Sequence, residues 1–229
     1  MKTNNFIRNY KIGLMMAIML LMFVAAFAQP GKKFAQSQQE NEAKLRHYTW
    51  KSRTEVRKDG ETKSVQLNQI RYDIDQNLQQ NPISVLQQEI PTGGLRGLIA
   101  KKKKEDFVEV LNDLSALAKS YGKISPSKMQ QFIRNATYIP EINPSQSLIR
   151  IQGRDVLELG DSMTIWVDAV TFKQHKVEIK SYYDTHHVRI ISEFQNLPNG
   201  PTYLARSIID YPNKELVITT ENFEFTRKQ

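Results

Sequence analysis

The chain has 229 residues, a formal net charge of +8, 40% hydrophobic residues and no cysteine. The missing thiols exclude a disulfide framework, thiolate metal ligation, a cysteine nucleophile and lipid attachment through an N-terminal cysteine. A balance this mildly basic describes a solvated, mixed-charge surface and does not call for a nucleic-acid partner.

Lys2, Arg8 and Lys11 precede an unbroken apolar run from Ile12 to Phe27, and Ala26-Phe27-Ala28 puts small residues where a signal peptidase reads them. The run is shorter than the roughly 20 apolar residues of a bilayer span. Residues 1–28 are therefore expected to be a secretory signal cleaved before Gln29, with a retained anchor as the alternative. Removing them takes three positive charges away and leaves roughly 200 residues, enough for one domain with a real core. No second apolar stretch approaches spanning length, so no stable membrane span is expected after cleavage. The expected location is the periplasm or cell envelope.

The glutamine-rich stretch 29–43 is expected to be a flexible lead-in or a frayed helix, with little to bury. From residue 44 the pattern turns to β. Tyr48, Trp50, Ser52, Thr54 and Val56 share one face, and His47, Lys51, Arg53 and Glu55 the other. Lys58-Asp59-Gly60 signals a hairpin, with a return strand over 62–75. There Val65 and Leu67 lie on one parity and Ile70, Tyr72 and Ile74 on the other, which predicts a bulge near Asn68-Gln69. A third strand is expected over 82–90, ended by Pro91-Thr92-Gly93-Gly94.

The middle of the chain is helical. Over 101–121, Phe107, Val110, Leu111, Leu114, Leu117, Ala118 and Tyr121 recur at steps of three and four, and Gly122 closes the segment. A second helix begins with Ser125 as N-cap and Pro126 at its first position, burying Met129, Phe132, Ile133 and Ala136. Strands are then expected over 147–153, 156–159, 163–170, 176–183, 188–197, 203–211 and 216–225, divided by turn-rich breaks. Short spacing without intervening helices makes the sheet antiparallel. The fold class is α+β: a large curved antiparallel β-sheet, an open half-barrel, with two inserted helices (about 101–136) covering its concave face. One domain is expected over 44–229.

Incomplete coverage by the helices would leave an apolar cleft. Its candidate lining is Tyr48, Trp50, Tyr72, Phe107, Leu111, Leu114 and Trp166, with plain core packing as the alternative for the aromatic rings. Arg96 with Lys101, Lys102, Lys103 and Lys104 is a candidate basic collar for an anionic lipid or an acidic partner. The bland alternative is a solvated helix entry. His186 and His187 beside Asp184 sit in a turn, where adjacent positions point apart and favour solvation over metal binding. Asp73 and Asp75 lack the glycine turn and third acid of a calcium loop and are expected to solubilise a strand end. His47 and His175 are isolated, and Asn135-Ala136-Thr137 is a glycosylation sequon without meaning in a bacterial exporter. No GxSxG, HExxH, CxxC or P-loop pattern nominates a catalytic residue, a cofactor or a metal.

The order of signal, long hairpin, central helices and C-terminal meander resembles the half-barrel of periplasmic lipoprotein carriers and receptors of the LolA/LolB type, and of related lipoprotein-sensing regulators. Lys176-Val177-Glu178-Ile179-Lys180-Ser181-Tyr182-Tyr183-Asp184, Asn196-Leu197-Pro198-Asn199-Gly200-Pro201-Thr202-Tyr203 and Glu221-Asn222-Phe223-Glu224-Phe225 also resemble the tail of uncharacterised exported bacterial proteins. Those share the helix lead-in Gly94-Leu95-Arg96-Gly97-Leu98-Ile99-Ala100 and its lysines. The resemblance to the carriers is architectural and transfers no individual functional residue. It implies a non-enzymatic envelope protein that shelters an apolar ligand, a lipid or lipoprotein acyl chain. The alternative is a structural or protein-interaction domain with a filled core that docks another envelope protein.

Overall fold

A computed structural model describes residues 33–75, 77–87, 94–143 and 146–228, and all statements below concern these. Ten strands form one sheet: β1 (Tyr48–Lys58), β2 (Glu61–Tyr72), β3 (Leu78–Gln87), β4 (Thr137–Asn143), β5 (Gln146–Arg154), β6 (Ser162–Asp168), β7 (Gln174–Tyr183), β8 (His186–Asn196), β9 (Thr202–Tyr211) and β10 (Leu216–Arg227). Their order is β3-β2-β1-β10-β9-β8-β7-β6-β5-β4, every neighbouring pair is antiparallel, and β3 and β4 remain as free edges. The sheet is thus an open half-barrel. Helices α2 (Gly94–Gly122) and α3 (Pro126–Asn135) are inserted between β3 and β4.

Local chemistry explains the elements. Asp59 and Gly60 both take positive φ, 54° and 76°, the backbone that a tight hairpin between right-twisted strands requires. Asp184 and Thr185 do the same between β7 and β8, at 47° and 65°. The Ser125 side chain accepts the Lys128 backbone N–H at 3.3 Å and Pro126 opens α3. Strand alternation sends Lys51, Arg53, Glu55 and Arg57 outward. On that convex face charges pair across strands, as in Arg189 Nε to Glu178 at 3.1 Å.

The core lies on the opposite, concave face. Leu114 and Tyr121 of α2 and Phe132 and Ile133 of α3 join Val56, Met163, Ile165, Ile179, Val188, Ile190, Ile209, Tyr211 and Ile218 in one cluster. Phe107, Val110, Leu111, Leu117 and Ala118 pack against it half-buried, so the whole three-and-four stripe of α2 faces the sheet.

Four expectations change. The stretch 29–43 overlaps a helix, α1 (33–45), anchored by Phe34, which is only 2% exposed, and by Asn41, which bonds the Thr202 backbone N–H at 2.6 Å and carbonyl at 2.8 Å. One aromatic residue among glutamines gave too weak a periodicity to read. The segment 156–159 is a tight loop rather than a strand, because its N–H groups bond a side chain, as described below. Against β1, β2 pairs regularly from Ser64 to Arg71 and its register shift falls instead at Lys63, while the irregularity at Leu67/Asn68 comes from an extra residue in β3, Ile83. β3 also begins earlier than expected, at Leu78, and carries Pro82 mid-strand, which its edge position tolerates. The signal segment 1–28 lies outside the described residues.

Candidate functional site on the concave face

Because paired residues in a sheet share a face, the concave surface can be read row by row. The first row runs Val56, Ile218, Ile209, Ile190, Ile179, Met163 and ends at Gly153. All six side chains are buried beneath the helices. Gly153 is required there: a Cβ would lie 2.8 Å from the Phe132 ring, which α3 lays flat on the strand.

The next row behaves differently. It runs Gln66, Thr54, Thr220, Ser207, Ser192 across five strands, then continues Val177, Ile165, Ile151, Tyr138. The first five are half-buried hydroxyl or amide side chains, whereas Val177, Ile165 and Ile151 are buried. Thr54 and Thr220 hydroxyls meet at 3.1 Å and those of Ser192 and Ser207 at 3.4 Å. Beside them a shorter row, Asn68, Ser52, Asn222, adds further polar groups. Gln66 donates to Asn68 at 2.9 Å, and Asn222 donates to the Leu204 carbonyl at 2.8 Å. Ser52 and Asn68 are 6% and 5% exposed. The concave face therefore divides into an apolar half, capped by helices, and an uncharged polar strip.

Two hydrogen-bonded ties between described residues hold α2 to the sheet. At its C-terminal end Tyr121 donates to Asp161 at 2.6 Å, with the Ser181 hydroxyl 3.0 Å away. Asp161 is wholly buried and also accepts the backbone N–H groups of Val156, Leu157 and Glu158 at 2.6, 2.9 and 3.0 Å. Burial alone would raise its pKa, but the Tyr121 hydroxyl and the three N–H donors outweigh that and hold the carboxyl below its ordinary range. The same burial and the adjacent carboxylate push the Tyr121 phenol up. Midway along the helix, Tyr183 donates to Asp113 at 2.8 Å, which raises the Tyr183 phenol to about 12. The Asp161 cluster was not foreseen. Its sequence signal is a pair of aspartates, Asp155 and Asp161, bracketing the short segment Val156-Leu157-Glu158-Leu159-Gly160, a pattern suited to side-chain-closed turns.

The predicted lining residues separate into groups. Leu114 is fully buried core, with Phe107 and Leu111 half-buried on the same helix face; the Lys58 ammonium lies 5.9 Å from the Phe107 ring. Trp50 and Tyr72 belong to a distinct aromatic cluster at the other end of the hairpin. There Trp50 stacks on Phe225 at 5.3 Å, Phe225 meets Tyr203 at 4.2 Å, and Tyr72 lies 6.1 Å from Trp50. Tyr48 covers the β8–β9 turn, its hydroxyl 3.2 Å from where a Cβ on Gly200 would sit. Trp166 is misassigned. It alternates with the buried Ile165 and Val167 and so points to the convex face, where it donates to Glu141 at 3.2 Å and carries Lys176 4.9 Å from its ring.

Lys102 is exposed on α2, while the side chains of Arg96, Lys101, Lys103 and Lys104 lie outside the described residues. His186 and His187 face opposite sides, against Tyr211 and Tyr182 respectively. Asp73 closes the β2–β3 turn by accepting Asn77 N–H at 2.8 Å and Gln79 at 2.7 Å. Two recesses lie apart from the predicted lining. One, of about 330 Å³, is between α1 and the β6–β7 and β8–β9 turns; the other, of about 770 Å³, is between α3 and β5.

No family model matches the chain, and no curated protein matches it. Among solved structures it is similar to a DUF1329 family protein from Desulfovibrio piger, at 6% identity over 87% of this chain and 92% of that one, with a TM-score of 0.44. It is similar to a LolA superfamily protein from Nitrosomonas europaea, at 12% identity over 84% and 94%, TM-score 0.37. It is also similar to an outer membrane lipoprotein-sorting protein domain from Vibrio parahaemolyticus, at 9% identity over 87% and 94%, TM-score 0.40. The last two are of the kind that the sequence resembles.

Proposed function

We propose that this protein is a non-enzymatic, exported binding module of the cell envelope that shelters an acyl chain of a lipid or lipoprotein between α2 and the open sheet. The observation that carries the reading is the apolar row from Val56 to Met163, closed from above by the apolar stripe of α2 with Phe132 and Ile133 of α3. Each acyl methylene taken out of water contributes about 0.8 kcal/mol, so a chain of ordinary length repays the displacement of part of a helix. The buried Tyr121–Asp161 cluster would act as the hinge, and the outer Tyr183–Asp113 bond as the latch that opens. Native mass spectrometry of the purified mature protein, with a fluorescent fatty-acid titration, tests this. Retained lipid and saturable binding are expected; neither appearing would remove the reading.

A second reading is favoured by β3. Its ten residues carry no charge, it is a free edge, and Leu78, Ile83, Val85 and Leu86 are exposed. Natural edge strands are normally guarded by charge. Such a strand suits an extended segment of another envelope protein added by backbone pairing. Val85→Lys should abolish crosslinked capture of that partner while leaving lipid uptake intact.

A further inference from the structure

We infer that the ligand's polar end is an uncharged, hydroxyl-rich head group, bound along the strip Gln66, Thr54, Thr220, Ser207, Ser192 and its neighbour Asn68, Ser52, Asn222. This rests on the acyl-sheltering reading and names the class of lipid that it takes. Two adjacent rows, spanning three to five strands, present side chains that both donate and accept, and no charged residue stands in either. A charged head group set against these two rows would find no counter-charge within them, which is costly where it is desolvated. A sugar hydroxyl, donor and acceptor at once, is matched at every position.

The strip is also incompletely used by the protein itself. Each hydroxyl pair, Thr54 with Thr220 and Ser192 with Ser207, shares a single hydrogen bond, and a hydroxyl can make more than one. Ser52, 94% buried by its 6% exposure, makes no hydrogen bond through its hydroxyl to another described residue. The hydroxyl oxygen nonetheless keeps access to solvent, so it is open to an outside partner. Five strands at the usual spacing make a row about 19 Å long, which exceeds a glycerol and accommodates linked sugars. The apolar row lies one pleat away, so a single molecule can reach both.

The test holds the tail constant and varies the head. The full mature protein is titrated below micellar concentrations with dodecyl maltoside, monododecanoyl glycerol, dodecanoate and dodecylphosphocholine, followed calorimetrically. Dodecyl maltoside should bind about tenfold more tightly than dodecanoate or dodecylphosphocholine, a difference near 1.4 kcal/mol, with the glycerol ester between them. The double variant Thr54→Val/Thr220→Val should lose that preference while its dodecanoate affinity and urea midpoint stay unchanged. Equal binding of all four heads would overturn this inference and leave the acyl reading standing. So would an undiminished maltoside preference in the double variant. Failure of all four to bind would overturn both.

Discussion

Along one row of the concave face the side chains change character between two neighbouring strands: Ser192 on β8 faces Val177 on β7. On the β7 side Val177, Ile165 and Ile151 are sealed in the core, while on the β8 side five hydroxyl or amide residues remain half-buried. Position in the sheet does not distinguish the two halves; what lies over them does. Where helices press down, the sheet spends its surface on stability. Where it keeps polar groups inside a curve, it keeps them at some cost to that stability, which is what a binding surface looks like.

Substitutions should separate the halves. Leu114→Ala removes a fully buried side chain from the helix that seals the apolar half, and should cost about 3 kcal/mol in urea unfolding. Asp161→Ala strands one buried and two part-buried backbone donors together with a buried phenol, and should cost about 3 kcal/mol at neutral pH. Gly153→Ala forces the Phe132 ring off its strand, for a loss of about 1–3 kcal/mol by thermal melting. On the polar half, Thr54→Val/Thr220→Val removes both members of a hydrogen-bonded pair. It should change stability by no more than about 0.5 kcal/mol, because neither partner is left unmet.

The hinge carries its own pH signature. Asp161 titrates below its ordinary 3.8 in the folded protein, so its contribution is present above that value and is lost as pH falls through the lower folded one. Stability of the native protein should therefore fall more steeply below about pH 4 than that of Asp161→Asn. Tyr121 is raised above its ordinary 10.0, so its contribution is complete below pH 10.0 and declines above it. A parallel acid limb in the two proteins would remove Asp161 from the hinge.

The apolar half was legible in the sequence, and the polar half only on β1, where Ser52 and Thr54 share the face of Trp50 and Val56. Alternation was read by equating inward with apolar. That succeeds for the α2 stripe and for Met163, Ile165 and Val167, and it yields the antiparallel half-barrel from strand spacing alone. It fails on β2, where the inward residues are Gln66 and Asn68 and the outward ones are Val65 and Leu67. A polar concave strip then looks like a shifted register. The same equation put Trp166 inside, although its neighbours Ile165 and Val167 already held that face. Phe34 escapes the pattern because it is a single apolar side chain among glutamines, and Asp161 because its partners are the N–H groups of a turn and one distant phenol, none of which leaves a hydrophobic period.

Hydrogen–deuterium exchange with and without dodecyl maltoside locates any bound amphiphile directly on this divided surface. Protection should concentrate in peptides from β1, β9 and β10 that contain Ser52, Thr54, Ser207 and Thr220, with altered exchange over the first turns of the α2 stripe near Phe107. Protection confined to α1 and the β6–β7 turn, or none anywhere, would contradict the assignment of the concave strip as the binding surface.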